Sequence, residues 1–284
     1  MIIAGPNGSG KSTLLERGEL LAHGISLPRP PFYINADDIA KTLHAEGFSA
    51  SQEEIEWEAF HQARFLRQTY RDQGVSYAFE TVFSHPSTLL DMQKCLDAGY
   101  EVVLVFVVTG NSEINVARVE GRVRQGGHNV EAAKIRSRYE RSLHYLPRAV
   151  ELASHAIVFD STQEQQMRLC FQKRRFVTVR NLPPYLQIRL TAILNQRRVE
   201  REAISSCFGT AVLPDEEAGE YAGPVRFAGS SYVMQETRPD HLILHDRLLF
   251  PAGAPMADDT PEDTPVRIYY RQGEGQFVPV PDPV

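Results

Sequence analysis

The sequence has little cysteine, and what it has is scattered. Cys95, Cys170 and Cys207 form no CxxC pair and have no histidine pair nearby, which excludes a disulfide framework and argues against a zinc site. It has no long apolar run. Val102–Val108 is the longest aliphatic-aromatic stretch and is far too short to span a bilayer. No basic stretch leads into an apolar segment at the N-terminus, so no secretory signal is read there. These absences predict a soluble chain in a reducing cytoplasm, with no membrane partner. Repeats of fixed period and low-complexity tracts are also missing. There is no basic excess: net charge is −6 and the isoelectric point about 5.9, which argues against a general binder of nucleic acid or membrane surfaces.

What is present is apolar content of 42% over 284 residues, ample for a buried core and long enough for about two domains. Charge divides the chain. Residues 211–284 carry 13 acids and 5 bases, whereas residues 1–210 carry 23 acids and 25 bases. Ten of the 18 prolines also fall after position 210. The front part suits an anionic ligand and the tail does not.

Residues 1–160 alternate short apolar runs with helical patterns. Strands are expected at Met1–Ala4, Phe32–Asn35, Val75–Phe79, Val102–Val108 and, as the last, Ala156–Phe159. Helices are expected at Ser12–His23, Glu53–Gln73, Ser87–Ala98 and Ala132–Leu152. Met1 falls only a few residues before the first glycine loop, so the opening strand is short. Strands separated by helices predict an α/β fold, a mostly parallel sheet flanked by helices. Asn181-Leu182-Pro183-Pro184 reads as a terminator, and Tyr185–Ser205 as an Arg-rich helix. Beyond it come short β-prone pieces at Tyr221–Phe227, Ser231–Glu236, His241–Leu244 and Val266–Tyr270, a small mainly-β module. Pro251–Pro265 is expected to be an acidic loop and Gly273–Val284 a frayed tail. The expected division is therefore residues 1–184, a helical connector over 185–206, and the β module over 207–284.

The segment Gly5-Pro6-Asn7-Gly8-Ser9-Gly10-Lys11-Ser12, followed by Thr13, fits G-x-x-x-x-G-K-[ST]. It lies between an expected strand and an expected helix, the context in which backbone N–H groups and a helix N-terminus hold a β-phosphate. Lys11 would reach the β- and γ-oxygens of ATP and Ser12 would give its hydroxyl to Mg²⁺. The alternative for such a segment is a glycine turn with a solvated lysine.

Acids then choose the chemistry. Asn35-Ala36-Asp37-Asp38 closes the second expected strand, where ligands of open parallel sheets bind. A carboxylate there can accept the proton of an acceptor hydroxyl. Asp37 is assigned as base and Asp38 as helix cap. Glu80 and Thr81, closing the third strand, are candidate contacts for the acceptor or a magnesium-bound water. An Arg-rich stretch, Arg118 to His128, has Gly126-Gly127 at its tip and is followed by Arg136, Arg138 and Arg141. It is read as a lid whose arginines meet the γ-phosphate. Arg122, Arg136 and Arg138 are the chosen clamps, and His128 a candidate substrate contact. Some of these arginines could instead form a solvated helix face.

Taken in order, several segments resemble the zeta toxin family of bacterial P-loop kinases. They are Ala4–Thr13, Asn35–Asp38, Ala78–Thr81, Gly99–Val102, Arg122-Val123, Gly126–His128, Ile135–Tyr139 and Ser142–Pro147. The resemblance spans about residues 1–184. It implies a P-loop kinase fold using ATP and Mg²⁺, and an antitoxin protein as partner. Its characterised members phosphorylate the 3′-hydroxyl of the sugar in UDP-N-acetylglucosamine, which would make Asp37 the base and put Glu80 on the sugar nucleotide. Gly219–Gly223, Tyr232–Gln235, Leu242–Asp246 and Val266–Tyr270 are similar to the KfrB domain of plasmid-associated proteins. Two other readings stand beside this one: a kinase of another nucleotide-like metabolite, and a non-enzymatic ATP-gated interaction protein of plasmid maintenance.

Overall fold

A computed structural model of the protein describes residues 1–16, 30–48, 50–126, 129–163, 166–172, 175–179, 181–251 and 265–279. The chain divides into two compact units. The first comprises Met1–Ser84, Lys94–Ser142 and Leu152–Leu182; the second comprises His85–Gln93, Leu143–Glu151 and Pro183–Val284.

In the first unit the apolar runs pair as parallel strands. These are β1 (Ile2–Ala4), β2 (Phe32–Ile34), β3 (Tyr77–Thr81), β4 (Val103–Val108) and β5 (His155–Asp160), in the spatial order β2-β3-β1-β4-β5. β4 is wholly apolar, four of its six residues are valine and all but Val103 are buried, as in a strand covered on both faces. β1 lies between β3 and β4, with Ile2 opposite both Phe79 and Leu104. The strand order reverses there, and crevices at such points are where open α/β sheets bind ligands.

Helix α1 (Lys11–Glu16) follows β1 at once, and Leu14 anchors it in a core of Val105, Val107, Ile157 and Phe159. Helix α2 (Ala36–Ala45) follows β2. Helix α3 (Gln52–Asp72) begins with a reciprocal capping box between Ser51 and Glu54. Helix α4 is Ser87–Asp97. Helix α5 (Ser112–Val123), capped by Asn111, packs Val116 and Val119 against Ile135 of α6 (Ala132–Leu152).

Several expectations need correction. β3 begins two residues later than the sequence suggests, so Glu80 and Thr81 lie within the strand rather than just beyond it. β5 is not the last strand of the sheet. β6 (Gln166–Gln172) and β7 (Arg175–Val179) add an antiparallel edge. Their interspersed polar and basic residues hid them, since an edge has no need of a continuous apolar run. The expected helix Ser12–His23 is seen as Lys11–Glu16, and its remainder lies outside the described residues.

The second unit holds an antiparallel sheet in the order β10-β9-β8-β11-β12. Its strands are β8 (Glu220–Ala228), β9 (Tyr232–Arg238), β10 (His241–Asp246), β11 (Pro265–Arg271) and β12 (Glu274–Pro279). Half of the segment expected to fray is thus the strand β12, turned back on β11 at Gln272-Gly273, and residues 280–284 lie outside the described residues. The acidic loop over 252–264 lies outside the described residues. Helix α7 (Ala192–Phe208) clusters with this unit, with Ile204 packed on Tyr232, Met234 and Leu244.

A buried ionic group sits inside the second unit. Arg197 is fully buried and bonds Glu151 at 2.8 Å and Asp246 at 2.7 and 2.8 Å. Arg148 pairs with Asp246 and Glu216. Burial alone would raise the Asp246 pKa, but Arg197 and Arg148 hold it well below the usual carboxylate range. Burial alone would lower Arg197, and Asp246 with Glu151 outweighs it.

Candidate active site

The loop between β1 and α1 is shaped by glycines where no other residue fits. Gly5 has φ +143°, and a Cβ there would meet the Val107 carbonyl oxygen at 2.0 Å. Gly8 has φ +73°, and its Cβ would come within 2.7 Å of the Asn115 carbonyl oxygen. Neighbouring elements fix the loop. The Gly5 N–H donates to Thr81 O at 3.2 Å, and Asn115 Nδ2 donates to Asn7 O at 2.6 Å. Ser161 donates to Ser9 O and is itself held by Arg118 at 3.1 Å. The Ser9 hydroxyl is buried with no protein partner.

Lys11 is buried at the start of α1. Its Nζ donates to Gly5 O at 2.8 Å and Pro6 O at 3.1 Å, and stands 3.8 Å from Glu80 Oε1. Burial lowers its pKa; Glu80 and then Asp37 oppose that, while Arg122 and Arg138 add to it. These five charged groups therefore share one electrostatic neighbourhood. Glu80 is clamped from the far side: Tyr33 Oη donates to its Oε2 at 3.0 Å and Asn35 Nδ2 at 3.3 Å. Arg138 Nη1 reaches Asn7 Oδ1 at 3.3 Å, which puts a guanidinium beside the loop.

Asp37 is exposed in the first turn of α2. The cap of that helix is Asn35, whose Oδ1 accepts from the Asp37 N–H at 2.9 Å, and not Asp38 as the sequence suggested. Asp38 instead pairs with Lys41 at 2.8 Å on the surface. Asn35 thus serves two ends at once, capping through its oxygen and holding Glu80 through its nitrogen. Thr81 contributes mainly backbone, and its Oγ1 accepts from Phe83 N at 3.1 Å.

Among the arginines, Arg136 departs from expectation. It forms a two-pronged pair with Glu113, at 2.7 and 2.9 Å, with both side chains exposed. The helix-to-helix partner was out of sight in the sequence, 23 positions away. Arg118 and Arg122 lie on helix α5 rather than in a loop. His128 and Gly127 lie outside the described residues. Ser12 is exposed at the loop, and the described residues contain no cluster of three His, Cys, Asp or Glu able to hold a metal alone. That donor set fits Mg²⁺ carried mainly by the phosphates with one protein hydroxyl. The sequence did not flag Tyr33, Asn115 or Ser161, and it read Arg118 as part of the lid, whereas Arg118 holds Ser161. Only a fold that brings them to the loop shows their use, although Asn115 recurs four residues after the capping Asn111.

The profile of the family described as Zeta toxin matches residues 1–180. The chain belongs to the zeta toxin family. Members of this family are kinases. A relative by sequence is an uncharacterized protein of Haemophilus influenzae, 26% identical over 135 residues, 48% of this chain and 88% of that protein. Two solved structures share the fold at 16% identity and a TM-score of 0.51: the AvrRxo1-ORF1:AvrRxo1-ORF2 complex with sulphate ions, and the same pair with ATP. Each match covers 67% of this chain, which in turn spans 63% of the matched chain. No described helix of the chain is long and apolar enough to cross a membrane.

Proposed function

We propose that this member of the zeta toxin family transfers the γ-phosphoryl group of ATP to the sugar 3′-hydroxyl of UDP-N-acetylglucosamine. The observation that carries the reading is the junction of Lys11 with Glu80 at 3.8 Å, inside a phosphate loop whose charged neighbours include Asp37, Arg122 and Arg138. On this reading Lys11 is the cation for the γ-phosphate, and Glu80 of β3 with Asp37 of α2 are the carboxylates that meet the alcohol. The amides of Gly8, Ser9, Gly10 and Lys11 cradle the β-phosphate. Thr13 and Ser12 follow at the helix start, where Ser12 would hold Mg²⁺, which neutralises charge on the β- and γ-oxygens.

In the reaction the bond from the γ-phosphorus to the β,γ-bridging oxygen breaks and a bond to the acceptor oxygen forms. The acceptor proton passes to the Asp37 carboxylate. Glu80, clamped by Tyr33 and Asn35, accepts a hydrogen bond from an acceptor hydroxyl. Arg138 and Arg122 take charge that builds on the γ-oxygens. An antitoxin partner fits the family, and residues 207–284 are offered as a KfrB-like module.

Incubation with Mg-ATP and UDP-N-acetylglucosamine, followed by mass spectrometry, tests the reading. One added phosphate on the sugar is expected. ADP release without any phosphorylated sugar nucleotide overturns this acceptor.

A further inference from the structure

Helix α2 is amphipathic, yet none of its residues is fully buried. Its apolar side, Ile39 and Leu43, lines a half-open cavity of about 420 Å³ together with Leu66 of α3 and Tyr33 of β2. That volume lies in the roughly 300–1,000 Å³ range of small-molecule sites. Thr42 and Glu46 on its wall are exposed, so the cavity opens to solvent.

Its chemistry differs from that of the phosphate loop. No lysine or arginine is among the residues lining it, and two carboxylates, Asp38 and Glu46, are. Gln62 Nε2 donates to Glu58 at 2.8 Å, which leaves its carbonyl oxygen to offer. The cavity is therefore rich in acceptors and apolar walls and hostile to phosphate, whose desolvated charge would meet like charge. An uncharged ring bearing O–H or N–H donors suits it. Tyr33 and Asn35, which line this cavity, are also the residues that hydrogen-bond Glu80, the carboxylate facing Lys11.

Building on the kinase reading above, we infer that the cavity between α2, α3 and β2 seats the uncharged, donor-bearing ring of the acceptor, whether a nucleobase or an acetamido sugar. Phosphates stay on the Lys11 side of Glu80, and the neutral ring lies on the Tyr33 side. Tyr33 links the two as a positioning residue, since it touches Glu80 and the cavity together.

The test uses the full chain with uridine, N-acetylglucosamine and inorganic pyrophosphate as separate probes in saturation-transfer NMR. Thr42→Trp and Leu66→Trp fill the cavity; Thr42 is exposed, so that variant keeps the fold even if the other does not. Saturation transfer to uridine or to N-acetylglucosamine is expected in the wild type, and the arm that responds identifies the ring. A loss of at least about fivefold is expected in the filled variants, with pyrophosphate binding unchanged. Silence of both neutral probes on the folded wild type overturns the inference, as does an undiminished signal in folded Thr42→Trp. These outcomes are read without turnover. Failure to phosphorylate UDP-N-acetylglucosamine would remove that acceptor and leave the cavity standing, and the reverse result would remove the cavity alone.

Discussion

Lys11 Nζ faces Glu80 Oε1 at 3.8 Å, with side-chain exposures of only 8% and 13%. On the proposed reading, the lysine that meets the γ-phosphate is thus balanced, within the protein itself, by a carboxylate that the phosphate must approach. Glu80→Gln removes that like charge. The expected outcome is ATP binding tightened by roughly tenfold, since one close charge repulsion in a partly buried site is worth on the order of 1 kcal/mol or more. Phosphoryl transfer should fall at the same time. Titration with a fluorescent ATP analogue and a steady-state assay separate the two, and weaker ATP binding would refute the balance.

Lys11→Ala removes the only described side-chain cation that donates into the loop carbonyls of Gly5 and Pro6. ATP turnover should drop at least about 100-fold, the scale on which a preorganised charge acts on a transition state. Measuring ADP release suffices. Retained turnover would mean that the γ-phosphate is not at Lys11.

The two aspartates separate cleanly. Asp37→Asn should leave ATP affinity near that of the wild type and lower transfer by about 10²–10⁴, the range for a positioned base. Asp38→Asn breaks an exposed pair with Lys41 and should change stability by less than about 1 kcal/mol. Equal loss of transfer in both variants would remove Asp37 as the specific base.

Much of this geometry was legible in the sequence because phosphate loops are written in glycine. Gly5 and Gly8 sit where any Cβ would strike backbone, and a buried β-branched run such as Val103–Val108 can hardly be anything but a central strand. Long-range partners were not legible. Asn35 looked like an ordinary strand end, yet it caps α2 and holds Glu80, while Asp38, the residue with the capping signature, points to Lys41. Arg136 carried the same charge and the same helical setting as Arg138. Only packing decides that one meets Glu113 and the other Asn7. The edge strands β7 and β12, and β6 beside β7, escaped notice because strands at or next to an edge tolerate polar residues that a sequence pattern counts against a strand.

That difference between the two arginines is measurable. Arg138→Ala should raise the KM for ATP and lower kcat, because its guanidinium stands beside the loop at Asn7. Arg136→Ala should leave both within about twofold, since it gives up an exposed pair only. Equal defects would show that helix α6 turns a second arginine toward the nucleotide during turnover.

The second unit should carry its own pH signature. His245 is fully buried between Tyr270 Oη at 2.8 Å and Gln235 Oε1 at 3.2 Å, and burial lowers its pKa to about 3. The folded protein therefore prefers neutral His245, whereas the unfolded chain takes up a proton near pH 6.5. Its contribution is fully present above pH 6.5 and is lost progressively as pH falls toward 3, with a slope of up to about 1.4 kcal/mol per pH unit. His144, also lowered by burial, acts with the same sign. Asp246, held low by its arginines, adds its loss only below the ordinary carboxylate range. Hydrogen exchange of the β9 and β10 amides in the full chain should accelerate between pH 6 and pH 4, after correction for the intrinsic rate, and His245→Gln should flatten that dependence. A wild-type profile flat across this window would mean that His245 is protonated inside the fold, with Gln235 and Tyr270 both accepting from it.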